Sequence, residues 1–343
     1  MKTKNHFLVP KVLIAIVGFA CLLSCGNGSK SSSKNSITKD SISMAESTPD
    51  FQISLAQWSL HNSFFGEITS GEWYDRMYEE SPDSILRGKF DPMDFPTIAA
   101  GYGIKSIELV NAFYFSRAND MEYWNTFKQK CDEAGVSVGL IMCDRLGDLG
   151  DSDVVARTAA VEKHHSWVDI AKFLGAHSIR VNAAGKGTAE EVASNAILSL
   201  SKLGEYGASQ GINIIVENHG GYSSDGKWLS GVMEKVGMDN VGTLPDFGNF
   251  CIEKDPDDNC INEYDRYQGM IDLMPYAKGV SAKSHNFDEN GNEIDSDFLR
   301  VMKIVKESGF KGYVGIEYEG EKLSEDEGIK ATKALLEKVF KEI

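Results

Sequence analysis

An alternation of short apolar runs with amphipathic segments constrains the fold of this chain more than any other feature. Eight runs rich in valine and isoleucine have the character of buried strands. They span residues 51–58, 104–110, 136–143, 176–182, 212–218, 240–246, 278–284 and 312–318. Residues 152–174, 188–210 and 324–341 carry apolar side chains at the period of an α-helix. Strands that alternate with helices in this number predict an α/β fold, a (β/α)8 barrel of parallel strands.

An open, doubly wound sheet is the competing interpretation. Such sheets usually carry a glycine-rich loop after the first strand, but here the first strand is followed by WSLHNSFFGEI. The barrel is therefore favoured, with a long loop insertion after its first strand, between Gly66 and Met93. Aromatic residues in this insertion predict a folded cap over the barrel mouth: Trp73, Tyr74, Tyr78 and Phe90.

Glycines directly before strand-like runs mark the expected helix ends. Glycine adopts the left-handed conformation at a helix C-terminus without steric cost. The expected positions are Gly101, Gly135, Gly175, Gly211 and Gly309.

The N-terminal segment has the features of an export signal. Lysines precede an apolar run from Val12 to Leu23, which is short for a membrane span and typical of a secretory signal. The run ends in Leu-Leu-Ser-Cys, which resembles a bacterial lipobox and implies cleavage before Cys25 and lipidation of its sulfur. A plain signal peptide or a short anchor helix are the alternatives. We expect residues 1–24 to be a lipoprotein signal peptide.

Residues 25–50 are rich in serine, asparagine, lysine and glycine, a composition typical of a flexible tether. Residues 51–343 would then form the barrel outside the cytoplasm, periplasm-facing or at the cell surface, with the lipid as the membrane contact. Exported proteins can form disulfides. Cys251 and Cys260 flank a short polar loop, and the sequence leaves open whether they are bridged or free.

The acidic charge excludes some partners. The formal net charge is −16, and removal of residues 1–24 takes away three lysines and no acid, which leaves −19. Such a surface repels phosphate backbones and offers no basic patch for anionic lipid. We therefore expect a small-molecule ligand and no nucleic acid; the oligomeric state cannot be read from the sequence.

Polar and charged side chains gather where the strands end, which is where barrel enzymes place their catalytic groups. Charges in apolar strands are costly unless they are paired or bound to metal. The sequence thus predicts either a metal-dependent site or a salt-bridge network that plugs the barrel. The residues are Glu108, Arg180, Asn182, Glu217, His219, Asp246, Lys283, His285, Glu317 and Glu319.

Three carboxylates and one imidazole of this set form the predicted metal site: Glu217, Asp246, His285 and Glu317. Oxygen-rich ligation with one histidine suits a divalent Mn, Co, Mg or Zn ion.

Five motifs resemble the xylose isomerase-like superfamily of TIM barrels, which contains sugar isomerases and epimerases and a DNA-repair endonuclease branch. They are IKSIELV, LGAHSIRVNAAG, IIVENHGG, VGTLPDFGN and GYVGIEYEG. The resemblance covers residue 51 to the end of the chain. It implies that the family's metal ligands on the fifth, sixth and eighth strands correspond to Glu217, Asp246 and Glu317.

Two positions depart from the family pattern. Members commonly carry His-x-Lys-Asp on the seventh strand, with the histidine as a metal ligand, but this chain has Ser281-Ala282-Lys283-Ser284. His285, on the same strand face, competes with Ser281 for the ligand position. Isomerases often have a histidine three residues after the sixth-strand aspartate, where this chain has Asn249.

The resemblance implies a metal-dependent isomerase or epimerase that abstracts a proton next to the carbonyl of a non-phosphorylated carbohydrate. Glu217 or Glu317 would be the base, assisted by His219 or Lys283. His164 and His165, on the long helix before the fourth strand, receive no role. The expected substrate contacts are Glu108, Arg180, Asn182, Trp58 and His61, the last two stacking on a sugar ring.

Two alternatives use the same scaffold. The first is a lyase that expels the aglycone of a 3-keto-glycoside, and the second is a non-catalytic sugar-binding lipoprotein. The endonuclease branch is a further interpretation, which the negative charge and the export signal oppose.

Overall fold

A computed structural model of the chain describes residues 50–66 and 85–343. The predictions for the signal peptide, Cys25 and nearly all of the tether lie outside these residues, as do Trp73, Tyr74 and Tyr78. Within the two described ranges, no helix combines the length and the apolar composition needed to cross a lipid bilayer.

Eight parallel strands form the central sheet, and each lies within the bounds predicted for it. Hydrogen bonding gives the order β6-β5-β4-β3-β2-β1-β10-β9. The ten strands of the described residues are β1 (Phe51–Ala56), β2 (Ser106–Val110), β3 (Ser137–Met142), β4 (Ser178–Val181), β5 (Asn213–Glu217), β6 (Val241–Leu244), β7 (Cys251–Lys254), β8 (Cys260–Glu263), β9 (Val280–Ser284) and β10 (Gly312–Tyr318).

Short contacts between β6 and β9 close this sheet into a nearly complete ring. Isolated bridges pair Thr243 with Ala277 and Asp246 with Ser281. The Ser281 amide donates to the Pro245 carbonyl at 2.9 Å. The (β/α)8 TIM barrel is confirmed, and its seam lies between β6 and β9.

Helices follow the strands and cover the outside of the ring. The predicted helices are confirmed to within two residues, and capping boxes begin two of them, with Thr188 and Glu191 at one and Ser324 and Glu327 at the other. The helices are α1 (His61–Phe65), α2 (Phe95–Gly101), α3 (Met121–Ala134), α4 (Val154–Leu174), α5 (Ala189–Gln210), α6 (Gly226–Val236), α7 (Arg266–Leu273), α8 (Phe298–Glu307) and α9 (Glu325–Glu342).

Most of the expected glycine stops are present. Gly135, Gly175 and Gly211 adopt the left-handed conformation at the ends of α3, α4 and α5. Gly309 also has a positive φ, one residue beyond the cap of α8. Helix α2 also ends at Gly101, as predicted, but this residue keeps a helical conformation and the left-handed turn comes at Gly103, with φ 71°.

The polar loop after β6 folds into an antiparallel hairpin of β7 and β8. A disulfide joins Cys251 to Cys260 with their Cα atoms 5.8 Å apart, so the bridged alternative is confirmed. Cys131 and Cys143 are free and buried. Because β7 begins two residues after Asn249, the hairpin is anchored at the mouth of the barrel.

Candidate active site

Three buried carboxylates meet at the C-terminal edge of the ring. Glu217 ends β5, Asp246 follows β6, and Glu317 lies near the end of β10. One oxygen of each lies within 4.8 Å of the others, and their exposed fractions are 0%, 0% and 3%. Closure of the barrel brings these strand ends together, as the sequence analysis anticipated.

The hydroxyl of Ser281 lies between two of these carboxylates. Its Oγ is 2.6 Å from Asp246 Oδ2 and 2.8 Å from Glu317 Oε2. A serine hydroxyl has one proton and can donate to one acceptor at a time. The second contact therefore needs another proton or a cation. Carboxylate and hydroxyl oxygens are ligands that hard divalent cations prefer, so the residues fit such an ion.

His285, the fourth ligand expected from the sequence, is not part of this group. The described residues that could hold a metal are Glu217, Asp246 and Glu317. His285 follows the end of β9, and its backbone N–H donates to Glu293 at 3.2 Å. Ser281, inside the strand, has its side chain at the carboxylates instead.

Two buried cations pair with the carboxylates. Arg180 Nε lies 2.9 Å from Glu217 Oε2, although neither atom makes a well-oriented hydrogen bond. Lys283 Nζ lies 3.2 Å from Glu319 and 3.7 Å from Glu317. The salt-bridge network considered from the sequence is thus present beside the candidate metal ligands.

These contacts set the charge states of the site. Burial raises the pKa of Glu317, and Lys283 only partly offsets that effect. Burial alone would lower the pKa of Lys283, but Glu319, Glu317 and other carboxylates raise it well above its usual value. Lys283 is therefore an ammonium at neutral pH, whereas Glu317 is a stronger base than an ordinary glutamate.

A cavity of about 700 Å³ opens over these residues, a volume typical of small-molecule sites. Seven of the residues predicted at the site lie on its wall: Trp58, Arg180, Asn182, His219, Lys283, Glu317 and Glu319.

Glu108 and His61, two of the expected substrate contacts, are not on that wall. Glu108 is buried in the ring, and Ser54 donates to it at 2.5 Å. Gly315 leaves room for it, since a Cβ there would lie 2.5 Å from the carboxylate. Burial raises the Glu108 pKa to about 8. The His61 ring stacks on Trp58 with centroids 5.0 Å apart, so it supports the indole.

Several residues at the site have no role assigned from the sequence. Asn249 donates to Glu217 through Nδ2 and to Asp246 through its backbone, both at 2.9 Å. Asp144 accepts from Arg180 at 2.5 Å and from Asn182 at 2.8 Å. Asp144 directly follows the third strand-like run, so its position at a strand end could have indicated a site residue. His164 lies on α4 and lines the cavity. It could not be found by looking for polar residues at strand ends, because it lies on a helix.

Comparisons with known proteins agree with this architecture. A xylose isomerase-like TIM barrel protein from Mycobacterium smegmatis, solved in complex with magnesium, has a TM-score of 0.59 and 15% identity, with 86% of this chain and 99% of that one covered. The apo 3-keto-D-glucoside 4-epimerase from E. coli has a TM-score of 0.60 and 14% identity, with 85% and 100% covered. At these identities the likeness shows the fold.

One curated relative matches over a short segment. The C-glycoside deglycosidase alpha subunit of Arthrobacter globiformis is 40% identical over 50 residues, which are 15% of this chain and 14% of that subunit. The sequence model of one family extends much further, over residues 96–339, which is more than half of the chain. This protein therefore belongs to the xylose isomerase-like TIM barrel family.

Proposed function

We propose that this protein is an enzyme that removes a proton next to the carbonyl group of a non-phosphorylated keto sugar, and that isomerisation or epimerisation follows. The observation that carries the proposal is the pairing of Glu317 with Lys283 on the cavity wall, with Oε1 and Nζ 3.7 Å apart. A carboxylate of raised pKa and an ammonium side by side suit proton abstraction and stabilisation of the resulting oxyanion.

Each residue then has a defined task. Glu317 takes the proton from carbon, and Lys283 holds the negative charge that develops on the carbonyl oxygen. Return of a proton to the other face of the same carbon gives an epimer. Return of a proton to the former carbonyl carbon, with transfer of a hydroxyl proton from the neighbouring oxygen to the former carbonyl oxygen, gives an isomer. His219 is exposed on the same cavity wall and supplies a second acid or base. Glu217 is 0% exposed and does not line the cavity. It is therefore a positioning residue and does not take the proton from carbon.

Glu217, Asp246 and Glu317 would hold a divalent metal ion, for which we propose Mg²⁺ or Mn²⁺ because the donors are oxygens. When bound, such an ion supplies positive charge next to the oxygens of the substrate. The magnesium in the Mycobacterium smegmatis relative supports this choice.

The charges on the cavity wall support a substrate without phosphate. Arg180 is paired with Asp144 and Glu217, and Lys283 with Glu319 and Glu317. These cations are already neutralised by carboxylates. The E. coli relative is described as an epimerase of a 3-keto-D-glucoside, a substrate class that fits such a wall.

A lyase is the second candidate, favoured by the segment shared with the C-glycoside deglycosidase alpha subunit. The first step is the same: Glu317 takes the proton next to the carbonyl. The electron pair then expels the group on the β-carbon, whose oxygen takes a proton from His219, and a carbon–carbon double bond remains between the two carbons.

Solvent exchange tests the proposal and separates the candidates. The protein with Mg²⁺ or Mn²⁺ in D2O is incubated with methyl 3-keto-β-D-glucopyranoside and with D-fructose. Deuterium on carbon supports an isomerase or epimerase, and release of methanol supports a lyase. Glu317→Gln should abolish either signal, whereas Glu321→Gln, on the exposed loop beyond β10, should not. Sugar binding without any exchange or methanol release would contradict an enzyme and favour a sugar-binding protein.

We also propose that the chain is exported as a lipoprotein with residues 1–24 removed, residues 25–50 as the tether and residues 51–343 as the barrel. The Cys251–Cys260 disulfide supports export, because such bridges persist in oxidising compartments. Mass spectrometry of membrane-extracted protein should show an acylated Cys25. An intact Met1 on the exported protein would contradict this proposal.

A further inference from the structure

We propose that Asp144 and His164 form a hydroxyl-binding subsite, which selects a neutral polyhydroxylated ligand at a part of the cavity built by β3 and α4. The inference rests on the proposed function only in taking the ligand to be a carbohydrate. It assigns the recognition of substrate hydroxyls to two residues that take no part in the proposed proton transfer.

His164 offers one unfilled acceptor. It lies on α4, is 2% exposed and lines the cavity. Its Nδ1 lies 2.7 Å from the Ala160 carbonyl. A carbonyl can only accept, so Nδ1 carries the proton and Nε2 keeps a lone pair. Within the described residues, no hydrogen bond reaches Nε2. Burial lowers the His164 pKa to about 4, so the ring is neutral and Nε2 remains an acceptor at neutral pH.

Asp144 offers a second acceptor on the same wall. Its Oδ1 receives Arg180 at 2.5 Å and Asn182 at 2.8 Å, while Oδ2 receives no hydrogen bond from the part of the chain that the structure describes. The backbone is held firmly, because Asn111 Oδ1 accepts from the Asp144 N–H at 2.9 Å and Asn111 Nδ2 donates to its carbonyl at 3.0 Å. The carboxylate is therefore presented by a rigid segment.

The two side chains line the same cavity. Arg145, the next residue, also lines the cavity and holds a left-handed backbone with φ 57°. Non-glycine residues in this conformation are uncommon and are often found at functional sites. The β3 loop thus carries a local strain at the point where the acceptors face the cavity.

The charges around the acceptors determine the class of ligand. Two acceptors call for donors on the ligand, which excludes carboxylate and phosphate groups as their partners. A cationic donor gains little here, because the Asp144 charge is already paired with Arg180 and the His164 ring is neutral. Neutral hydroxyl groups remain, and a sugar provides several at fixed spacing. The subsite should therefore bind hydroxyl groups of the sugar that take no part in the reaction.

Ligand binding without turnover tests this subsite. Titration with methyl β-D-glucopyranoside and its 2-, 3-, 4- and 6-deoxy analogues is followed by saturation-transfer NMR. Loss of one neutral hydrogen bond corresponds to roughly 2- to 10-fold weaker binding, which we expect for His164→Leu. His164→Gln, which keeps an acceptor, should restore much of the affinity. One deoxy analogue should bind wild type and His164→Leu equally, because it lacks the hydroxyl in question. His165→Leu is the matched control, since His165 stacks on Tyr206 instead.

A second measurement needs no substitution. The ¹⁵N resonance of His164 Nε2 should move on addition of the glycoside, in the direction of a hydrogen-bond acceptor. A folded His164→Leu that binds every probe as wild type does, an unmoved Nε2 resonance, or a wild type that binds none of the glycosides would overturn the subsite. Wild type that binds through His164 but exchanges no deuterium would overturn the proposed function and leave the subsite standing.

Discussion

Arg180 Nη1 lies 2.5 Å from Asp144 Oδ1, and this ion pair joins the end of β4 to the residue that follows the third strand run. Arg180 is 3% exposed and also lies beside Glu217. One guanidinium therefore connects the hydroxyl-binding side of the cavity with the candidate metal ligands.

Replacement of Arg180 by Gln should destabilise the protein by about 3–5 kcal/mol, because it leaves Glu217 as a buried charge without its cationic partner. A divalent ion supplies positive charge near Glu217, so Mg²⁺ should recover part of the loss. Thermal unfolding with Mg²⁺ and with EDTA measures both effects. Equal unfolding temperatures of the variant in the two buffers would contradict a metal site beside Arg180.

Asp246→Ala should abolish both metal retention and turnover. It removes a ligand and leaves Glu217 and Glu317 to repel each other. Metal content after dialysis and the deuterium exchange assay check this outcome. Asp239→Ala, an exposed acid just before β6, should leave both unchanged. Wild-type activity of a metal-free Asp246→Ala would refute the metal-dependent mechanism.

Ser281→His should shift the metal preference towards zinc by at least about tenfold, because it adds an imidazole to a set of oxygen donors. Competition between Zn²⁺ and Mg²⁺, read by native mass spectrometry, measures the shift. Ser281→Thr keeps the hydroxyl and serves as the control. An unchanged preference would show that position 281 does not reach the ion.

Loss of the Cys251–Cys260 bridge should lower the free energy of unfolding by about 2–3 kcal/mol, the amount expected for a loop of this length. It should also weaken metal binding, because Asn249, two residues before the bridge, holds Glu217 and Asp246. Urea unfolding of wild type with and without dithiothreitol checks the first effect. The Cys251→Ser/Cys260→Ser variant should no longer respond to the reductant.

Glu108 should make the protein less stable as the pH rises. Its pKa of about 8 lies above the ordinary value, so the folded state keeps a proton that the unfolded state loses above about pH 4.5. The stabilising contribution is complete below that pH and is lost as the pH approaches 8. Glu108→Gln should therefore raise the unfolding temperature more at pH 8 than at pH 5, measured in EDTA. The opposite order would show that Glu108 is ionised in the folded protein.

The sequence was enough to predict the ring of strands and the three carboxylates at its mouth. Strand runs such as IIVEN carry both the buried pattern and the charged residue at the end, so Glu217 could be placed without coordinates. Ser281 and His285 could not be separated, because they share a strand face and only the end of β9 at Ser284 decides between them.

Contacts that depend on three-dimensional approach were not predictable from the sequence. His164 lies on an amphipathic helix whose inner face packs on the barrel. The spacing of apolar residues in that helix does not indicate that His164 lines the cavity. Glu217 is the last residue of β5, whereas Glu108 lies two residues before the end of β2. Glu108 therefore remains inside the ring, where Gly315 leaves space for its carboxylate.

Asp246 pairs with Ser281 at the β6–β9 seam. The acidic site is therefore assembled in the same step that closes the ring. Joining β6 to β9 brings the negatively charged carboxylates close together. Their mutual repulsion opposes closure of the ring. A counter-ion that binds the closed ring and not the open one stabilises the fold according to its concentration and affinity. If Glu217, Asp246 and Glu317 hold a divalent cation as proposed, the concentration of that cation also determines how long the barrel stays closed.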